Sequence, residues 1–244
     1  MPNQIDEARK ILSAAKSVMV LTGAGISVES GIPTFRGNGG LWQGMKVEDW
    51  ATPEGYLRDT PRVWRFYNQQ RSGLAAVKPN PGHEALAAMQ RKISQRGGSF
   101  VLATQNIDGL HQAAGNEGVL ELHGSLKRLR CWKCDYRLDV GYSSLEQVPC
   151  CPHGHGDLRP DVVWFGEMLP QDIWQAAARA AAASEVFLTV GTSAVVYPAA
   201  QLVQYARGES ATCIEVNLEP TPASDIVDIS LLGKAGEILP QLLE

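Results

Sequence analysis

Apolar residues follow two alternating patterns along the chain. Runs of consecutive apolar residues, many of them β-branched, occupy positions 18–21, 100–103, 186–190 and 213–216 and predict buried strands. Around these runs, apolar residues recur at helical spacing in segments 5–15, 81–94, 171–183 and 198–206. Strands that alternate with helices predict an α/β fold, in which helices cover both faces of a parallel sheet.

Two segments interrupt this alternation. Residues 35–79 are rich in Gly, Trp and Pro, and residues 127–158 contain four of the five cysteines. We expect them to form a smaller lobe, built from a helical insertion and a cysteine-rich insertion. The larger lobe then comprises about residues 1–34, 80–126 and 159–244, and residues 1–244 form a single unit. A cleft between two such lobes is the natural place for a ligand.

Composition narrows the class of protein. The 244 residues are 44% hydrophobic and 20% charged, which excludes a mainly disordered chain. A net charge of −4 argues against a broad basic surface and therefore against nucleic acid as a direct partner. Five cysteines are too few, and odd in number, for a disulfide scaffold.

The sequence shows no signal peptide and no apolar stretch near ~20 residues, so we expect a cytoplasmic protein without a membrane partner. It leaves the oligomeric state open, with a monomer as the working expectation.

Small and polar residues follow the predicted strands. They include Gly23-Ala24-Gly25, Thr104-Gln105-Asn106, Gly191-Thr192-Ser193 and Asn217. Because ligands of parallel sheets bind at the carboxyl ends of the strands, we expect these residues to line a site. The first group could bring its N–H groups close to a pyrophosphate, or could simply form a tight turn. Val28 stands where a dinucleotide fingerprint has its third glycine, which disfavours a conventional dehydrogenase.

The cysteines are spaced like metal ligands. Cys131-x2-Cys134 is a thiolate knuckle, and Cys150-Cys151-Pro152-His153-Gly154-His155 follows after 15 residues. This spacing is close to that of a zinc ribbon and predicts a structural zinc ion. We expect Cys131, Cys134 and Cys151 as ligands with His153 as the fourth, and Cys150 or His155 as alternatives for it. Reduced thiols without a metal are the competing interpretation.

His123 is a candidate acid or base. It lies between a short apolar segment and the cysteine-rich insertion, near the boundary of the lobes. Its reference pKa of ~6.5 suits proton transfer near neutral pH. Gln105-Asn106-Ile107-Asp108, at the end of a predicted strand, adds many hydrogen-bonding side chains for a polar ligand. A purely structural histidine is the alternative.

Six segments carry a family resemblance, in this order: Gly23-Ala24-Gly25-Ile26-Ser27, Gly31-Ile32-Pro33-Thr34-Phe35-Arg36-Gly37, Thr104-Gln105-Asn106-Ile107-Asp108-Gly109-Leu110-His111, Leu122-His123-Gly124-Ser125, Arg159-Pro160-Asp161-Val162-Val163-Trp164-Phe165-Gly166-Glu167 and Gly191-Thr192-Ser193. With them the chain resembles the sirtuins, which are NAD-dependent protein-lysine deacylases, and most of all their bacterial-type class III subgroup. The resemblance implies a Rossmann-like lobe and a smaller zinc-binding lobe.

The resemblance also implies roles for individual residues. The NAD-binding residues would be Gly23, Ala24, Gly25, Ser27, Phe35, Arg36, Gln105, Asn106, Ile107, Asp108, Gly191, Thr192, Ser193, Asn217 and Ala235. Asn106 and Asp108 would hold the carboxamide, and His123 would be the general base of the reaction. The products would be nicotinamide, free lysine and 2′-O-acyl-ADP-ribose. Val163, Trp164, Phe165 and Gly166 would form the apolar wall along acyl-lysine, and this segment could pair with the substrate as an added strand.

The acyl preference depends on one position. Class III sirtuins use Tyr-x-x-Arg to bind the carboxylate of succinyl and malonyl groups, whereas this chain has Tyr67, then Gln70, with Arg71 one residue later. A step of one residue along a helix rotates the side-chain direction by ~100°, so Arg71 points in another direction than residue 70. We expect deacetylation with some desuccinylation. The rival hypotheses are NAD-dependent ADP-ribosyl transfer and a non-catalytic zinc-ribbon binder of acyl-lysine.

Overall fold

The computed structural model describes residues 2–34, 41–42 and 45–244. The NAD-binding roles expected for Phe35 and Arg36 lie outside the described residues. The described strands are β1 (Ser17–Thr22), β2 (Leu41–Trp42), β3 (Met45–Lys46), β4 (Ser99–Thr104), β5 (Leu120–Glu121), β6 (Gly124–Arg130), β7 (Arg137–Asp139), β8 (Arg159–Val162), β9 (Val186–Val190), β10 (Thr212–Asn217) and β11 (Ile229–Leu232). The described α-helices are α1 (Pro2–Ala14), α2 (Val47–Trp50), α3 (Pro53–Arg58), α4 (Thr60–Gly73), α5 (Pro81–Gln95), α6 (Leu110–Ala113), α7 (Gln171–Ala182), α8 (Leu202–Gly208) and α9 (Ala235–Gln241).

A parallel sheet forms the larger lobe. Its strand order is β11-β10-β9-β1-β4-β5, and every neighbouring pair is parallel. The chain builds β4 and β5 on one side of β1 and then returns to place β9, β10 and β11 on the other. This change of direction opens a crevice at the carboxyl ends of β1 and β9, where α/β proteins bind ligands. The predicted α/β fold is confirmed.

Helices cover both faces of the sheet because β1 is apolar on both sides. Val18 and Val20 pack in a core with α1, α5 and α9, whereas Met19 and Leu21 pack in a second core with α7 and α8. All four side chains are nearly inaccessible to solvent. A strand buried on both faces has no polar alternation, which explains the uninterrupted apolar run in the sequence.

The smaller lobe contains both insertions. Its three-stranded antiparallel sheet has the order β7-β6-β8, and the helices α2, α3 and α4 pack against it. Tyr67 of α4, Leu126 of β6 and Trp164, just beyond β8, share one core. The sheet extends a few residues past the predicted limits of 127–158, because β6 begins at Gly124 and β8 ends at Val162. No helix within the described ranges has the length and apolarity needed to cross a membrane.

The ends of β1 and β9 meet backbone to backbone. The N–H of Gly23 donates to Val190 O (3.0 Å), and the N–H of Gly25 donates to Gly191 O (2.7 Å). Gly191 has φ +58°, and a Cβ on it would lie 2.4 Å from the nitrogen of Ile26. Only glycine fits such an approach, because a side chain would meet backbone atoms that cannot move aside.

Gly191→Ala should therefore lower the free energy of unfolding by about 2–4 kcal/mol, through strain at positive φ and overpacking. Urea denaturation measures the change. Gly208→Ala, at an exposed helical position with no atom near the added Cβ, is the matched control and should leave stability unchanged or raise it by up to ~1 kcal/mol, because alanine favours a helix more than glycine does. Equal losses in the two variants would show that the contact between the strand ends is unimportant.

Candidate active site and metal centre

A buried hydrogen-bond network joins the ends of β1 and β4. The Asn106 side-chain amide donates to Gly23 O (3.0 Å) and to Ser27 Oγ (3.2 Å). The Ser27 hydroxyl in turn donates to Asp108 Oδ2 (2.8 Å). All three side chains are buried, so their polar groups depend on one another rather than on water. The structure thus brings together three of the residues that the sequence proposed for the site.

The Asp108 carboxyl is held from several sides. The backbone N–H of Leu110 donates to Oδ1 (2.9 Å), opposite the bond from Ser27. Burial raises the pKa of Asp108, although these hydrogen bonds favour the charged form. The Tyr142 hydroxyl, from the cysteine-rich insertion, donates to the backbone carbonyl of Asp108 (2.5 Å). The smaller lobe therefore contributes directly to the position of this carboxyl.

His123 is a neutral imidazole in a defined orientation. Its Nδ1 lies 3.0 Å from the carbonyl oxygen of Gln105. Because a carbonyl can only accept, Nδ1 carries the proton and Nε2 has the free electron pair. Burial lowers the pKa of His123, which favours the neutral form near pH 7. The backbone carbonyl of His123 accepts the N–H of Val163 (2.9 Å) and so links the imidazole to the predicted acyl-lysine segment.

Two histidines that the sequence analysis did not single out lie beside this network. The rings of His83 and His111 are 4.9 Å apart and are both buried. Burial lowers the pKa of His83 to about 4 and that of His111 to about 3. His111 Nε2 lies 2.8 Å from the Thr22 hydroxyl at the end of β1. His111 belongs to a quoted motif, but nothing in the sequence shows that His83 approaches it from α5.

A pocket lies at the carboxyl ends of β9, β10 and β11. It is lined by Gly25, Val28, Glu29, Gly191, Val216, Asn217, Leu218, Gly233, Lys234 and Ala235. The Asn217 amide donates to Thr192 O (3.1 Å), and the Gln105 amide donates to the Thr192 hydroxyl (2.9 Å). Valine, leucine and alanine walls beside Glu29 and Asn217 suit a flat base attached to a sugar with hydroxyl groups. Glu29 was not among the site residues expected from the sequence.

The glycine turn is a close contact between two strand ends. The N–H groups of Gly23 and Gly25 donate to the end of β9. NAD binding by Gly23, Ala24 and Gly25 stays a prediction. Ala24 begins the 3₁₀ helix Ala24–Ser30 and is half-buried. Ser193 is also half-buried, directly after the buried Thr192. Ile107 O accepts the N–H of Leu126 and connects the site to β6.

The predicted acyl-lysine segment is not a strand. β8 ends at Val162, and the backbone turns at Gly166, which has φ +86°. The N–H groups of Val163, Trp164 and Phe165 donate to His123 O, Glu167 Oε2 and Ala51 O. A substrate strand would have to break these bonds to pair with the three amides. Trp164 is buried and Phe165 is 46% exposed. The segment therefore offers one buried aromatic side chain and, beside it, one that faces solvent.

Tyr67 and Arg71 face different neighbours. The Tyr67 hydroxyl accepts the indole N–H of Trp164 (2.9 Å), and burial raises the pKa of Tyr67. Arg71 is fully buried, and its Nε donates to Ser143 O (3.0 Å) in the cysteine-rich insertion. Its guanidinium also lies over the Trp64 ring, 5.5 Å from the centroid. The rotation expected for Arg71 is therefore present, while Gln70 is half-buried on the same helix.

Three thiols and one imidazole form a cluster in the smaller lobe. The ligand atoms of Cys131, Cys134, Cys151 and His155 all lie within 4.8 Å of one another. The fourth member is His155, so the expectation of His153 is corrected. His153 is exposed, because the turn at Gly154 places only the second histidine beside the thiols. Cys150 is exposed too, and its thiol approaches Asp157 instead.

The cluster fits a structural zinc ion. Zinc prefers sulfur and imidazole ligands, and four of them leave no position for a substrate. The backbone N–H of Lys133 donates to Cys131 Sγ (3.3 Å), which lowers the pKa of this thiol to about 6 and favours the thiolate. The core around the cluster is small, with Leu129, Leu158 and Trp64, so a metal would add stability that the apolar contacts do not supply.

Comparisons with known proteins agree with this geometry. The family model described as "Sir2 family" matches residues 23–198. The "NAD-dependent protein deacylase 2" of Pyrobaculum aerophilum is 48% identical over 237 residues, covering 96% of this chain and 92% of the relative. A solved Sir2 homologue mutant in complex with 2′-O-acetyl ADP ribose is 40% identical, with a TM-score of 0.88, and the match covers 98% and 94% of the two chains. The structure of Sir2Af2 bound to a myristoylated histone peptide is 36% identical, with a TM-score of 0.78 and coverage of 100% and 96%. The chain belongs to the Sir2 family.

The two histidines of the cysteine-rich insertion should differ in zinc binding. His155→Ala should weaken zinc binding by at least ~10-fold, because it removes a ligand, whereas His153→Ala should leave it unchanged. Zinc content after dialysis against a graded chelator measures the difference. Loss of zinc in His153→Ala alone would restore the original assignment.

Proposed function

We propose that this protein removes acyl groups from protein lysines in an NAD-dependent reaction that gives nicotinamide and 2′-O-acyl-ADP-ribose. One observation carries the proposal. His123, a neutral base, is bonded through Nδ1 to the strand edge with the Asn106 network and through its carbonyl to Val163. The base is thereby located between a polar ligand site and an apolar segment. A relative named as an NAD-dependent deacylase and a structure with the acetylated product support the same reaction.

Different residues bind the cofactor, accept the proton and exclude water. NAD supplies a ribose carbon that becomes electrophilic as nicotinamide leaves. Asn106 and Asp108, fixed by Ser27, bind the carboxamide that departs. Nε2 of His123 accepts the proton of a ribose hydroxyl, since Nδ1 is held as a donor by Gln105 O. The buried indole of Trp164 excludes water from the acyl-lysine, and this limits hydrolysis of NAD.

The pocket beneath β9, β10 and β11 holds the adenosine half of NAD. Asn217 and Ala235, expected at this place, line it together with Glu29, whose carboxylate suits the ribose hydroxyls. Gly191 and Gly25 bring the strand ends close enough to form its inner side. Zinc, held by Cys131, Cys134, Cys151 and His155, stabilises the smaller lobe and takes no part in the reaction.

The protein's partners are acyl-lysine peptides and proteins. The family neighbour with a bound myristoylated histone peptide supports this class. None of the five cysteines forms a disulfide, which is consistent with the cytoplasm as the proposed compartment. The net charge of −4 argues against direct binding of nucleic acid. A monomer remains the working expectation.

His123→Ala should abolish deacylation while NAD still binds. The variant removes the proton acceptor but leaves the Asn106 network and the adenosine pocket in place. Formation of deacetylated peptide from an acetyl-lysine peptide and NAD should fall by at least ~10²-fold, with NAD binding by calorimetry within about twofold of the unchanged protein. Retained turnover would contradict the role of His123. ADP-ribosylated protein without free deacetylated peptide would favour ADP-ribosyl transfer, and binding without nicotinamide release would favour a non-catalytic binder.

The acyl wall favours neutral acyl groups. The nearby arginines of the described chain are already engaged, Arg159 with Glu167 and Arg71 with Ser143 and Asn68. Gln70 can donate a hydrogen bond to a carboxylate but cannot neutralise it. Deacetylation with slower desuccinylation is the resulting preference.

Gln70→Arg should shift this preference towards succinyl-lysine. We expect kcat/KM for succinyl-lysine, relative to acetyl-lysine in the same peptide, to rise about tenfold through a charge-assisted pair. Gln69→Arg adds the same charge at the exposed neighbouring position and should leave the ratio unchanged. A native preference for succinyl-lysine that Gln70→Arg does not alter would show that the carboxylate binds elsewhere.

A further inference from the structure

Arg159 is a buried cation between two indole rings. Its side chain is completely inaccessible to solvent. The guanidinium carbon lies 3.4 Å from the ring centroid of Trp164 and 4.6 Å from that of Trp132. The two indoles are themselves 5.8 Å apart, centroid to centroid. Removed from water, a guanidinium over an aromatic face interacts more strongly than an exposed one.

Glu167 fixes the orientation of this guanidinium. Arg159 donates to both carboxylate oxygens, Nη1 to Oε1 (2.5 Å) and Nη2 to Oε2 (2.9 Å). A two-point bond of this kind holds the guanidinium plane as well as its charge. Oε2 also accepts the backbone N–H of Trp164 (2.9 Å). The ion pair therefore determines both the ring contact and the backbone position of Trp164.

The two indoles belong to different functional parts of the chain. Trp164 lies in the proposed acyl-lysine segment and donates its indole N–H to Tyr67. Trp132 lies inside the Cys131–Cys134 knuckle, whose thiols belong to the metal cluster. The knuckle therefore reaches the acyl-lysine segment in two ways, through the Arg159 guanidinium and through the direct ring contact of Trp132 with Trp164.

We propose that Trp132 is a positioning residue for substrate: its ring packs against both the Arg159 guanidinium and the Trp164 ring, and so keeps residues 163–167 in the conformation that accepts acyl-lysine. This inference rests on the proposed function only for the identity of the ligand. Trp132 does not touch the reacting atoms, so its loss should weaken peptide binding and leave the chemical step unchanged.

The test compares three variants. Trp132→Leu keeps apolar volume but has no aromatic face, whereas Trp132→Phe keeps a face over the guanidinium. Trp174→Leu is the matched control, since Trp174 pairs with Tyr205 on the far helices α7 and α8. For each, the measurements are the Kd of a fluorescent acetyl-lysine peptide, kcat and both KM values, and hydrogen exchange of residues 163–167.

Trp132→Leu should raise the peptide Kd and KM five- to tenfold and speed exchange in residues 163–167. Its kcat and its KM for NAD should stay within twofold of the unchanged protein. Trp132→Phe should restore peptide binding to within twofold, and Trp174→Leu should alter none of these values. Zinc content and Tm are measured alongside.

Equal peptide binding by the Leu and Phe variants, or unchanged exchange in Trp132→Leu, would overturn the inference. An equal loss in Trp174→Leu would do so as well, because it would indicate general destabilisation. If the unchanged protein binds acetyl-peptide but releases no nicotinamide, the proposed function fails, whereas the exchange and binding comparisons still decide the role of Trp132.

Discussion

The active site depends on the close approach of the β1 and β9 ends. Gly25 and Gly191 touch through their backbones, and the N–H groups of the turn bond to the neighbouring strand end. This contact sets the position of Gly23 O, which accepts the amide of Asn106, and it forms the inner side of the pocket at the ends of β9, β10 and β11. A methyl group at either glycine would separate the strands, because backbone atoms on both sides leave no room. The two glycines thus act by allowing the backbones to pack closely, and this packing positions the residues of the binding site.

Polar and aromatic contacts join the second lobe to this edge. Tyr142 donates to the carbonyl of Asp108, and His123 O accepts the N–H of Val163. Arg159 links the metal knuckle with Trp164. Such directional contacts fix distances between the lobes more closely than apolar contacts, which tolerate sliding. This explains how a small, metal-dependent lobe can help to position the groups of a reaction that it does not perform.

Burial gives the site its protonation states. His123 is neutral because desolvation disfavours the imidazolium, and Gln105 O selects which nitrogen carries the proton. His83 and His111 are held neutral in the same way, with pKa values of about 4 and 3. Asp108 is the one acid in this network, and burial raises its pKa while Ser27 and Leu110 stabilise its charge. A buried site with few charges suits a reaction in which water competes with the intended acceptor.

The sequence by itself determined the four central strands of the sheet and the family, because buried strands have uninterrupted apolar runs and site motifs are local. It did not predict β5 and β11, since strands of two and four residues have too little pattern to detect. Tertiary structure alone decided that His155 and not His153 joins the thiols, that the chain turns at Gly166, and that Arg71 bonds to Ser143. Each of these depends on where the chain turns and on what approaches from a distant segment. Spacing along the sequence lists the candidate ligands, but only the folded backbone determines which atoms meet.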